Sequence, residues 1–165
     1  PLFHAQQGMK DSPFNVVPVK GVYMWRDLER TCAKHNLPFN KPHRFPQNGL
    51  NAARIALSLK PEERPNFVKA VYQAHFVHDR DISDLQILHA ALRRAGLDPY
   101  ETLEAIGSDK IKNQLRDDTA YAADLGIFGA PTCVTQDGEL FWGNDRLEDA
   151  LDWAVRGTLS PQVQN

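Results

Sequence analysis

The stretch from Gly126 to Asp145, GIFGAPTCVTQDGELFWGND, concentrates groups suited to holding an anionic ligand. Ala130-Pro131 leads into Thr132-Cys133-Val134-Thr135, β-branched at three of four positions. That run reads as a strand with a proline at its head, where a missing N–H is tolerated. Asp137-Gly138 supplies the turn of a hairpin, and Glu139-Leu140-Phe141-Trp142 its second strand. Gly143 follows, then Asn144-Asp145, whose short polar side chains suit the cap of a final helix. Two backbone edges and one helix N-terminus therefore converge. Unpaired amides and the positive end of a helix dipole are what an anion needs.

Other reactive residue types are sparse. His75 and His78 stand at i,i+3 on one helical face. A zinc site needs three or four protein ligands, and the second pair that would complete one is missing, so no metal is expected. Cys32 and Cys133 are far apart and form no Cys-x-x-Cys, which excludes paired-thiol redox chemistry. Cys133 reads as a small buried strand residue. Trp25, Trp142 and Trp153 read as core or interface residues, with Trp142 near enough to the hairpin to line a pocket.

The elements that must position these groups are mostly helical. Pro1-Leu2-Phe3-His4 looks like the end of a strand, and Ala5 to Lys20, with Gly8, Pro13 and Pro18, like a loop. Val22, Trp25, Leu28 and Cys32 then recur at helical spacing from Lys20 to about Asn36. Leu37 to Pro46 holds three prolines and must be extended or irregular. Asn48 to Leu59 is helical, and Pro61 suits the first turn of a helix to Val77. Ser83-Asp84-Leu85-Gln86 forms a capping box for a helix to Ala95 that Gly96 ends. Pro99 opens a helix to Ile106, and Gly107-Ser108 stops it and caps another to Leu125. A block from Lys20 to Leu125 without strands is too helical to be half of a doubly wound sheet.

Composition sets outer limits. With 165 residues, 42% hydrophobic and 24% charged, the chain can bury a core as one domain with a subdomain. A net charge of -2 with scattered Lys and Arg gives no footprint for nucleic acid. No apolar run approaches the length of a membrane span, and no signal peptide opens the sequence, so a cytoplasmic location is expected.

Ala-Pro-Thr heading a strand before a hairpin and a final helix resembles the cis-proline region of thioredoxin folds. Gly126-Ile127-Phe128-Gly129-Ala130-Pro131-Thr132 with Leu140-Phe141-Trp142-Gly143-Asn144-Asp145-Arg146-Leu147 is similar to the C-terminal signature of the 2-hydroxychromene-2-carboxylate isomerase and kappa-class glutathione transferase family. Lys20 to Leu28 and Asp79 to Asp84 resemble the same family. The resemblance implies an α/β, thioredoxin-like fold, its C-terminal cis-Pro hairpin and helix joined to a large all-helical insertion. Residues 1–19 and 126–165 would form the thioredoxin-like part and 20–125 the insertion, with the N-terminal βαβ unit largely missing. The family's Ser-Pro-Tyr-type motif, whose serine contacts the glutathione sulfur, has no match here, so the catalytic residue is unknown and little activity is expected of these residues alone.

The same resemblance implies glutathione as cofactor. It assigns the backbone at Ala130 and Pro131 to the cysteinyl part, Asn144 and Asp145 to the γ-glutamyl end, and Lys20 to the glycyl carboxylate. The family's loop asparagine has no clean match. The implied function is a glutathione-dependent isomerase of a small aromatic 2-hydroxychromene-2-carboxylate-type substrate, working as a homodimer. Alternatives are a kappa-type transferase and a non-catalytic glutathione-binding or dimerisation module.

Overall fold

Prolines and apolar spacing lay out the helices. The computed structural model describes residues 13–158. The expected Leu2-Phe3 strand and the loop residues before Pro13 lie outside that range. α1 (Pro13–Val16) and α2 (Pro18–Lys34) each begin on a proline. This corrects the expectation of a loop as far as Lys20: a fixed φ and a missing N–H suit the first helical turn, so Pro13 and Pro18 start helices where they were read as preventing them. Lys20 consequently sits inside the first turn of α2.

Residues 37–46 form no helix or strand. α3 (Leu50–Ser58), α4 (Arg64–Phe76), α5 (Leu85–Arg94), α6 (Pro99–Ala105) and α7 (Asp109–Asp124) follow. Pro61 opens a turn and not the helix; Lys60 N–H donates to Glu63 Oε2 at 3.0 Å, and α4 starts at Arg64. The cap of α5 also moves one residue on. Asp84 accepts from Gln86 N–H at 2.8 Å, while the Ser83 hydroxyl donates to Asp81 Oδ1 at 2.6 Å. No strand occurs from Lys20 to Leu125.

The chain divides into two compact units, residues 1–117 and 118–165. In the first, Ile55, Phe67, Leu88, Leu92 and Ile106 from α3 to α6 build one buried core. Long-range polar contacts fasten the irregular segment to the α4–α5 connection. His43 N–H donates to Asp79 Oδ1 at 2.9 Å and its ring bonds the same carboxylate; Arg44 pairs with Asp81 at 3.0 Å, and Ile82 N–H donates to Gln47 Oε1 at 2.8 Å.

In the second unit, β1 (Thr132–Val134) and β2 (Leu140–Trp142) pair antiparallel, Thr132 opposite Trp142, Cys133 opposite Phe141 and Val134 opposite Leu140. A 3-10 turn (Asn144–Arg146) and α8 (Leu147–Arg156) complete it.

Candidate functional site

The Ala130–Pro131 peptide bond is cis. Pro131 cannot donate, but its carbonyl accepts from Gly143 N–H at 2.9 Å, extending the ladder one step beyond β1 and β2. That bond sets the 3-10 turn carrying Asn144 and Asp145 directly after the residue opposite Pro131. Ala130 precedes the ladder, and neither its N–H nor its C=O has a partner among the described residues. It is exposed, as an edge able to take another strand must be.

Asn144 and Asp145 do not play the expected capping part. Gly143 precedes the turn and Arg146 precedes α8, and neither position shows a side-chain cap. The chain passes from the ladder straight into a 3-10 turn, so the side chains at 144 and 145 lie inside a helical turn, where they no longer face the first amides of α8. Asp145 is 78% exposed and lies 4.0 Å from Arg146, which bonds Asp149 at 3.4 Å. That long contact with Arg146 leaves the exposed carboxylate able to meet a second cation.

Two glycines give this corner its shape. Gly143 has φ 116° and ψ 150°, backbone that L side chains avoid, and a Cβ there would press on Asp145 Oδ1. A Cβ at Gly129 would fall 2.5 Å from Trp142 Nε1. The indole instead lies over this bare backbone and packs on Phe128, ring centres 4.9 Å apart at 60°. Trp142 and Phe128 remain 54% and 55% exposed, an accessible aromatic wall beside the open Ala130 edge. Sequence reasoning pointed to Trp142 but missed Phe128.

It also missed the tie behind the hairpin. Asp137 accepts from the Thr135 hydroxyl at 2.5 Å and from Trp153 Nε1 at 2.8 Å, joining the turn to α8. These bonds, the Thr135 one foremost, hold its carboxyl below the usual range. An aspartate in a hairpin turn beside a threonine was the available signal; the indole sixteen residues away was not.

The structure thus brings Ala130, Pro131, Asn144 and Asp145 together on one hairpin corner. Lys20 belongs to the other unit, exposed in α2 and without an ion pair among the described residues. The two histidines do not share an environment. His75 is 4% exposed between Phe45 and Phe76, its Nδ1 buried without a partner, whereas His78 is exposed. Burial pushes the His75 pKa down. No cluster of three or more His, Cys, Asp or Glu able to hold a metal occurs among the described residues. Cys32 and Cys133 are half-buried and free. Among the described residues no helix is long and apolar enough to cross a membrane.

Residues 1–152 match the DSBA-like thioredoxin domain. Human glutathione S-transferase kappa 1 is 31% identical over 157 residues, with 85% of this chain and 70% of the human protein covered. The 2-hydroxychromene-2-carboxylate isomerase of Sphingobium xenophagum is 34% identical over 133 residues, covering 81% of this chain and 67% of that protein. A solved 2-hydroxychromene-2-carboxylate isomerase superposes with a TM-score of 0.78 over 94% of this chain and 77% of its own, at 21% identity, which is a likeness of fold. The helix-rich thioredoxin-like fold implied by the motifs is therefore the fold of this chain.

Proposed function

Because this chain belongs to the DSBA-like thioredoxin-domain family, we propose that it is a glutathione-dependent isomerase of an aromatic substrate of the 2-hydroxychromene-2-carboxylate type. Its relatives carry the names of enzymes, and it is an enzyme by that resemblance. The observation that carries the reading is an open strand edge at Ala130 joined by one ladder bond to an uncapped carboxylate at Asp145. The residues present fit a γ-glutamyl tripeptide. Ala130 N–H donates to, and its C=O accepts from, the central peptide unit as an added strand. Asp145 accepts from the γ-glutamyl ammonium, while the first amides of the 3-10 turn, which have no partner within the turn, suit its carboxylate. Asn144 adds a neutral donor and acceptor. Lys20 is assigned the glycyl carboxylate, and Phe128 and Trp142 give an apolar face for an aromatic ring.

Glutathione, when bound, supplies a thiolate that adds to the conjugated substrate and is expelled once a bond has rotated, so it is regenerated each turn. Residues 1–19 and 126–165 serve as the thioredoxin-like part and 20–125 as its helical insertion, in a cytoplasmic homodimer. The test is conversion of 2-hydroxychromene-2-carboxylate with and without glutathione. Little conversion is expected of these residues alone, and what there is should depend on glutathione; conversion indifferent to glutathione overturns the proposal. A kappa-type transferase is the second reading, favoured by the 31% identity to the human enzyme. Conjugation of a halogenated arene without isomerisation would select it, and glutathione binding with neither reaction would leave a binding module.

A further inference from the structure

A cavity of about 350 Å3 lies along α4 and α5, its floor made by four alanines and its polar lining by His78, Arg80 and Arg94. Small side chains at facing helix positions leave a trough where larger ones would interlock, and the volume is at the lower end of the ~300–1,000 Å3 range of small-molecule sites. No aspartate or glutamate lines it. Several arginines elsewhere are matched, Arg26 with Glu29, Arg30 with Asp27 and Arg146 with Asp149, while Arg54 and Arg93, which do not line the trough, are not matched among the described residues. The guanidinium groups of Arg80 and Arg94 have neither an ion pair nor a hydrogen-bond acceptor among the described residues.

Two features that would repel an anion are engaged by other groups nearby. The chain folds back at the end of α4, where Val77, His78 and Arg80 N–H donate to the carbonyls of Gln73 and Ala74 at 3.0, 3.1 and 2.8 Å. The negative end of that helix is thereby capped. The acids of the same connection are engaged too: Asp79 by His43, Asp81 by Arg44 and Ser83, and Asp84 by Gln86 N–H.

We propose that this trough binds a soluble phosphate monoester. Arg80, Arg94 and His78 hold the phosphate, and the alanine floor takes the organic part. Guanidinium groups suit phosphate because their planar donors meet two oxygens at once, and two of them without countercharge supply what a dianion requires. The site is independent of the glutathione reading.

Phenyl phosphate titrated calorimetrically into the 165-residue chain is the test. Saturable 1:1 binding is expected, weakened about tenfold, or about 1.4 kcal/mol, by either Arg80→Gln or Arg94→Gln. Ala90→Leu, at an exposed position of the floor, should abolish it. Lys69→Gln, removing an exposed α4 cation that does not line the trough, should leave phenyl phosphate affinity unchanged. Affinity unaltered in both arginine variants, or reduced equally by Lys69→Gln, overturns the site. Binding to phosphatidic acid vesicles but not to phenyl phosphate overturns the soluble ligand and assigns a lipid headgroup.

Discussion

The helical unit and the hairpin unit are held together by different means. In the first, Ile55, Phe67, Leu88 and Leu92 are 2% exposed or less, and neighbours from α3 to α6 close around them. In the second, Ala150 is the one buried residue among those described, and Phe128, Val134, Trp142, Leu147, Leu151 and Val155 are exposed. Order there comes from directional bonds: the three-pair register, Gly143 to Pro131, and Asp137 to Thr135 and Trp153. Burial of a large apolar side chain stabilises by about 1.5–3 kcal/mol, a single net hydrogen bond by about 0.5–1.5 kcal/mol. Stability is thus concentrated in one unit, and groups left available for a ligand in the other.

The contrast is broken most forcefully from the core side. Leu92→Ala or Phe67→Ala should destabilise the helical unit by about 3–5 kcal/mol, read as a shift of the urea midpoint, since a cavity opens where neighbours cannot collapse. A change below about 1 kcal/mol would mean that those side chains are not packed as described. Gly143→Ala comes next. It forces a side chain into glycine-only backbone and against Asp145, costing about 1–3 kcal/mol locally, and glutathione affinity should fall with it. Asp145→Ala should leave the urea midpoint unmoved and weaken glutathione binding about tenfold, at the lower end for a charge-assisted bond because the carboxylate is largely exposed. Equal affinity in wild type and variant would remove Asp145 from the site. Asn144→Ala should cost less than Asp145→Ala.

The hairpin was legible because its determinants are local. Pro131, Asp137-Gly138 and Gly143 each dictate backbone within a residue or two, and the structure puts turn, strands and final helix where they require. Helix content was legible from apolar spacing, but boundaries followed prolines whose role depends on position: Pro13 and Pro18 start helices, Pro61 does not. What escaped was non-local. The clasp of His43 and Arg44 on Asp79 and Asp81 spans thirty-six and thirty-seven residues, and no periodicity announces it. His75 and His78 share a face by count, yet α4 ends at Phe76, so the turn that follows carries His78 away into solvent while His75 stays among aromatic rings. Asn144 and Asp145 have cap chemistry, but the chain enters a 3-10 turn there and neither caps α8.

The smallest effect separates the two units by pH. His75 ordinarily titrates near 6.5, and burial lowers its folded pKa, against the opposing pull of the Arg80 backbone, Asp79 and Asp81. Between the two values the unfolded chain binds a proton that the folded one refuses, so stability falls as pH drops through 6.5 toward the folded value. Asp137 behaves differently: its folded pKa lies below the ordinary 3.8 because Thr135 and Trp153 donate to the carboxylate. Its contribution is fully present above 3.8 and is lost only as pH falls through the lower folded value. On acidification from pH 7 the helical unit should therefore lose amide-exchange protection first, while the hairpin unit keeps its own until the pH nears 3.8. His75→Phe, which puts an apolar ring among Phe45 and Phe76, should erase the earlier loss, and Asp137→Asn should weaken the hairpin above pH 3.8 and erase the later one. Loss of protection in both units within one pH window, or an early loss that survives His75→Phe, would show that these two groups do not set the difference.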